Sequence, residues 1–351
     1  MGRLEYFVSD FYLFLIVNIL LIFLFIASMF FLKKADRILR LVTAVILFFL
    51  LIFSFTFSAF ELYFRYVYDQ SDGLGFLKVN KKWDERHVVY NSSFSRDKEF
   101  KVEKRNGEIR IAVVGDSLTF GAGIKNIDDR FSDLLGNKLR ESGKDVSVYN
   151  FGIPGIDTIG EIDVYKNKVS GFNPDVIIWQ YYLNDIQIDN GESAKIFQKN
   201  GKRSQLASKL SDFSYFFDFL YWRLSSKYTR TTGELSNSYL SQYADPKMFD
   251  AHKELLSGVL KKINDDGRKV VVIVFPLLSE VGDNYPALAV HKNLDGYFRS
   301  QNVEVIDLLQ FLSGRKSTEL VASRFDAHPN EFVHGLAAEK LYNSVLRLLE
   351  K

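Results

Sequence analysis

The sequence predicts an α/β protein: a three-layer αβα sandwich on a parallel five-stranded sheet, preceded by an N-terminal two-helix transmembrane hairpin. Three observations predict it. Five short Val/Ile-rich runs recur beyond residue 108, helical periodicity separates them, and two long charge-free runs lie before residue 61. Of 351 residues, 15% are aromatic and 32 are Phe, too rich a supply for a disordered chain. Forty-five basic residues against 43 acidic ones leave no excess with which to bind nucleic acid. With Cys 0, disulfides, thiolate metal sites and cysteine nucleophiles are excluded.

The anchor comes first in the chain. Residues 11–32 carry no charge, and at about 1.5 Å per residue they reach about 33 Å, enough for a hydrocarbon core of about 30 Å. Residues 41–60 meet the same test. The loop between them holds Lys33, Lys34, Arg37 and Arg40 against Asp36 alone, so it is expected on the cytoplasmic side. Everything beyond residue 60 is then extracytoplasmic, with the lipid bilayer of the cytoplasmic membrane as a partner. Tyr63, Phe64, Tyr66 and Tyr68 read as an interfacial aromatic belt or as a stalk packed on the domain. Residues 1–68 form this anchor and 69–108 a polar linker with a leading strand.

Residues 109–351 are expected to form the soluble domain. Continuous runs at 109–114, 146–151, 176–181, 270–275 and 303–308 read as strands covered on both faces. Helices are expected at 131–142, 158–168, 248–264, 286–300 and 334–349, giving a flavodoxin-like alternation. An insertion spans about 186–246. Its aromatic stretch 206–228 reads first as a helix packed on the sheet, and otherwise as a lid or membrane-facing cover.

Ligands of open parallel sheets bind at the carboxyl ends of the strands. Those ends carry GDSLTFG at 115–121, NFGIPG at 150–155 and YLND at 182–185, and FDAHPN follows at 325–330. Ser117 is expected at a helix N-cap, where backbone N–H groups also favour an anion. A nucleophilic serine needs a base. His252 and His291 fall in helices, His87 in the polar leader, and His334 opens the last helix. His328 stands on a loop stopped by Pro329, with Asp326 two residues before it, the pairing that orients an imidazole beside a hydroxyl. The competing reading of Asp-x-His is a surface turn.

These four segments together resemble the SGNH hydrolase superfamily, the GDSL esterases and lipases, over about residues 109–349. The resemblance implies Ser117 as nucleophile, His328 as general base and Asp326 as its orienting carboxylate. It implies an oxyanion hole from the N–H of Ser117, the N–H of Gly155 and the side chain of Asn184, with Gly152 the weaker glycine choice. Two departures stand out: Tyr182 occupies the usual glycine of the third block, and the last block is Asp-x-His where Asp-x-x-His is usual. Asp116 and Asp185 are expected to support the loops.

The reading that follows is a membrane-anchored, extracytoplasmic serine esterase acting on O-acyl esters, acetyl esters among them, of a small molecule or glycan. Its alternatives are an O-acyltransferase for cell-envelope glycans, served by a membrane acyltransferase partner, and a non-catalytic binding or assembly protein. GDSLTFGAGIK lacks the P-loop and dinucleotide spacings. Neither Asp163 and Glu161 nor the DNG stretch from Asp189 has a recognised metal spacing, so neither cofactor nor metal is expected.

Overall fold

The computed structural model describes residues 11–186 and 191–350; Asp189 and Asn190 therefore lie outside the described residues. The chain divides into two compact units, Met1–Asp69 with Arg203–Leu224, and Gln70–Lys202 with Ser225–Lys351.

The larger unit holds a five-stranded parallel sheet of β1 (Ile109–Gly115), β2 (Val146–Gly152), β3 (Val176–Tyr182), β4 (Lys269–Phe275) and β5 (Glu304–Asp307), in the order β2-β1-β3-β4-β5. Alternate residues serve opposite faces. Ala112, Val114, Trp179 and Val272 meet Tyr165, Leu256 and Phe298, from helices Thr158–Asn167, Pro246–Asp265 and Leu288–Ser300. Ile111, Val113, Ile178 and Ile273 meet Phe131, Leu135, Val333 and Leu341, from helices Phe131–Glu141 and Glu331–Glu350. Each fully buried Val, Leu or Ile of these layers contributes roughly 1.5–3 kcal/mol. The fold is the expected αβα sandwich, and its order reverses between β1 and β3, where a crevice opens.

The ends of β1 and β2 lie side by side through the pair Gly115 and Gly152. Both glycines are dictated by close approach. A Cβ on Gly152 would stand 2.1 Å from the Phe120 nitrogen, and one on Gly115 2.3 Å from the side chains of Gln180 and Thr119.

In the smaller unit, Tyr12–Phe31 and Arg37–Leu62 are two helices long and apolar enough to cross a membrane. They pack on each other, and Asn18 Nδ2 bonds the Ser58 hydroxyl at 2.8 Å, pairing two polar groups that the apolar runs contain. The second helix starts before the expected residue 41 and continues through the turn Tyr63–Val67, because nothing in the flanking residues stops it.

Three expectations are corrected. Segment 69–108 has no strand; it holds helix Lys78–His87 and a buried Arg96 that donates to the carbonyls of Gly121 at 2.6 Å, Ile124 at 2.5 Å and His87 at 3.0 Å. Arg96 is pushed down to about 10, by burial first and then by Arg130. The aromatic stretch beginning at residue 206, expected as part of the sheet's layers, belongs up to Leu224 to the smaller unit. It forms helices Gln205–Phe213 and Tyr215–Leu224 of the smaller unit, where Phe216 stacks on Phe60 and Phe219 on Phe64. The segment carrying His328 is not a loop but β7 (Asp326–Pro329), paired antiparallel with β6 (Val321–Ser323).

Candidate functional site

Past β1 the chain turns at Asp116, whose carboxylate accepts the Leu118 N–H at 2.9 Å and caps the helical turn Ser117–Phe120. Asp116, not Ser117, is therefore the cap. Serine is left as the first residue of the turn with its hydroxyl free of capping. The turn closes at Gly121, whose φ of +78° suits glycine.

Alternation along β7 puts Asp326 and His328 on one face, so an i, i+2 spacing on a strand does what the longer spacing does on a loop. His328 Nδ1 lies 2.5 Å from Asp326 Oδ1, and its Nε2 lies 2.8 Å from Ser117 Oγ. Burial alone would lower the His328 imidazole. The charge and hydrogen bond of Asp326, with Asp116 and Asp72 beyond, outweigh it and raise the group above its ordinary 6.5. Burial would likewise raise Asp326, but His328 and the Ser71 hydroxyl bring it below its ordinary value.

Ser117, Gly155, Asn184 and His328 line one cavity of about 430 Å³. The Gly152 N–H already donates to Asn150 Oδ1 at 3.0 Å, whereas Gly155, at φ +79°, sits on the cavity wall. Asn184 directs one Nδ2 hydrogen to Asp116 Oδ2 at 3.3 Å, and the amide keeps a second for a ligand. Asp185 accepts the Tyr182 N–H at 2.7 Å and so braces this turn. Tyr182 itself lines the cavity, so the ring in the glycine position forms part of its wall; Phe197, Leu235 and Tyr239 of the insertion add apolar surface.

The other four histidines do not face Ser117. His252 bonds the Tyr181 hydroxyl at 2.8 Å and is pushed down to about 4 by burial. His334, inside the last helix, accepts the Phe131 N–H at 3.1 Å and is pushed down to about 3 by burial. His291 pairs with Asp307 at 2.9 Å, and His87 ends helix Lys78–His87. Among the described residues no cluster of His, Asp and Glu could hold a metal ion.

Sequence reasoning missed one contributor to the site, the segment 71–73. Ser71 Oγ is hydrogen-bonded to Asp326 Oδ2, and the Gly73 N–H donates to the Phe325 carbonyl at 2.8 Å. Asp72, buried, accepts N–H groups of Leu74 at 3.0 Å and Leu77 at 2.5 Å; burial pushes it up to about 6 despite these bonds. Tyr228 of the insertion donates its hydroxyl to the same Phe325 carbonyl. The only sequence signal was the Ser-Asp-Gly string itself, a common turn.

The profile of the GDSL-like lipase/acylhydrolase family matches residues 113–336. No curated protein matches the chain in sequence. Among solved structures, the lipase/acylhydrolase from Enterococcus faecalis is similar at 17% identity and a TM-score of 0.42, over 68% of this chain and 95% of that one. The acetyl xylan esterase AlAXEase is similar at 15% identity and 0.40, over 68% and 100%. The psychrotrophic esterase EstA from Pseudoalteromonas sp. is similar at 12% identity and 0.39, over 69% and 99%. Since the matched stretch runs from the strand before Ser117 to beyond His328 and takes in well over half of the residues, the chain belongs to the GDSL-like lipase/acylhydrolase family of ester hydrolases.

Proposed function

We propose that this ester hydrolase uses Ser117, His328 and Asp326 to cleave O-acyl esters on the extracytoplasmic side of the cytoplasmic membrane, held there by its two N-terminal helices. The observation that carries the chemistry is the continuous line from Asp326 Oδ1 to His328 to Ser117 Oγ, at 2.5 Å and 2.8 Å, on the wall of one cavity. As Ser117 Oγ bonds to the ester carbonyl carbon, its proton passes to His328 Nε2 and the carbonyl pair moves onto oxygen. The N–H groups of Ser117 and Gly155 and the amide of Asn184 stabilise that oxyanion, each worth about 3 kcal/mol of barrier. Collapse breaks the bond to the alkoxide, which takes the proton from His328. Water, deprotonated in turn by His328, bonds to the acyl carbon, and collapse breaks the bond to Ser117 Oγ, which takes the proton back from His328 as the acid leaves. Asp326 keeps the Nδ1 hydrogen oriented throughout.

The membrane reading rests on the length and composition of the helices and on the basic loop 33–40 between them. Because the chain has no cysteine, Lys138→Cys on intact cells tests it: an impermeant thiol reagent should label it from outside.

A second cavity of about 530 Å³, lined by Asp72, Gly73, Tyr90 and Phe120, meets the first at His328. It offers an alcohol a place beside the base, which favours O-acyl transfer as the second reading. The test of both is a fluorophosphonate label mapped to Ser117, then turnover of short p-nitrophenyl esters with and without an added polyol. A Ser117→Ala chain as active as the parent sinks the reading.

A further inference from the structure

We infer that residues 203–224 form an amphipathic helical hairpin lying in the outer lipid interface, a third bilayer-contacting element beside the two N-terminal helices. The inference rests on the membrane reading above. The sequence insertion supplies helix Gln205–Phe213 and helix Tyr215–Leu224, joined at Ser214.

Two N-terminal residues clamp the joint. The Glu61 carboxylate accepts the N–H groups of Tyr215 at 3.1 Å and Phe216 at 3.0 Å and the Ser214 hydroxyl at 2.7 Å, so it caps the start of the second helix. Arg65 pairs with Glu61 at 2.7 Å and donates to the Phe213 carbonyl at 3.3 Å, at the end of the first. An anion at a helix start and a cation at a helix end both suit the helix dipole. Rings then bind the hairpin along its length. Phe213 stacks on Phe14 at 5.0 Å, Phe216 on Phe60 at 4.8 Å and Phe219 on Phe64 at 4.2 Å.

Those contacts fix a level in the bilayer. Phe57 and Phe60 are in the last turn of the apolar run 41–60, which is about 30 Å long, the thickness of the hydrocarbon core. Rings stacked on them stand where hydrocarbon gives way to headgroups. Beyond the stacks the hairpin is apolar and uncovered: Leu206 and Leu210 at i and i+4 on one helix, on the side that carries Phe213, and Leu220 and Leu224 at i and i+4 on the other, on the side that carries Phe216. Leu206 is 68% and Leu224 77% exposed. Lys209, Asp212 and Arg223, also exposed, supply the charged side of an interfacial helix. Lipid is the occupant because this surface is continuous with Phe14, Phe57 and Phe60 of the candidate spans.

The cysteine-free chain permits a direct test. Leu206→Cys, Leu210→Cys and Leu224→Cys are labelled with bimane in the full chain in lipid nanodiscs and titrated with lipids nitroxide-labelled near the headgroup. Phe23→Cys, with the nitroxide near the bilayer centre, is the membrane control, and Lys138→Cys the aqueous one. The three leucine sites should lose fluorescence to the extent that Phe23 does, with Lys138 unaffected. Leucine sites as bright as Lys138, with Phe23 quenched, overturn the proposal and leave the anchor standing. A bright Phe23 brings down the anchor, and this inference with it.

Discussion

Ser71 gives its hydroxyl to Oδ2 of Asp326, the carboxylate oxygen that His328 leaves open. The serine touches no reacting atom and acts through Asp326, as a positioning residue. A hydrogen bond to a buried carboxylate is worth about 1.5–3 kcal/mol. Ser71→Ala should therefore lower kcat by about tenfold or more with little change in KM, and Ser71→Thr should restore it. A carboxylate released from Ser71 holds the imidazolium more tightly, so the acid limb of the pH profile should move upward. A limb that stays in place reduces Ser71 to a structural role.

The direction of the His328 shift sets the pH dependence. In the proposed mechanism His328 is the base and must be neutral, so kcat/KM should rise with pH through its pKa, with a midpoint above the ordinary 6.5. Asp326 is the largest of the raising influences. In Asp326→Asn the midpoint should drop, while the maximal rate falls on the order of 10³ because the imidazole loses its orientation. Rate profiles from pH 5 to 9 on one ester decide this.

The sheet was legible because strands buried on both faces are written as unbroken Val/Ile runs, as 270–275 shows. Ser117, His328 and Asp326 were legible through local strings whose chemistry is recognisable. Ser71 was not, since its partner lies 255 residues away and nothing in a polar, aperiodic stretch announces a tertiary contact. The 206–228 stretch shows a different limit. Apolar residues on several faces mean a covered helix, but not what covers it, and here the cover is Phe14, Phe60 and Phe64 of the N-terminal helices.

Gly73 is constrained by space. A Cβ there would stand 2.8 Å from Asp326 Oδ1 and 3.2 Å from His328 Nδ1, between the two groups that must stay in contact. Gly73→Ala should cut kcat on the order of a hundredfold while thermal unfolding moves by only a few degrees. Equal losses of activity and of folded protein would contradict this assignment.

In the proposed mechanism Asn184 is an oxyanion donor, and its replacement tests that role apart from the orientation of Ser117 and His328. Its amide is aimed by Asp116 at 3.3 Å, and Asn184→Ala removes the donor without touching Ser117 or His328. Turnover should fall by roughly 10² to 10³, with KM and fluorophosphonate labelling of Ser117 much less affected. A loss confined to KM points instead to substrate docking by Asn184.

Beneath the site lies a group that the proposed chemistry does not use. Glu161 is fully buried, and burial, then Asp116 and Asp157, raise it well above its ordinary 4.5 against the lowering influence of the Trp179 indole. Between 4.5 and that raised value the folded chain holds a proton that the unfolded chain has released, so stability falls as pH rises, by up to about 1.4 kcal/mol per pH unit for one proton. Glutamine keeps the shape and cannot ionise. Glu161→Gln should thus be more stable than the parent near neutral pH, and its stability should fall less steeply from pH 5 to 8. Denaturant midpoints across that range, measured on the full chain in detergent, test the sign. Parallel curves for the two proteins would show that Glu161 does not hold the proton.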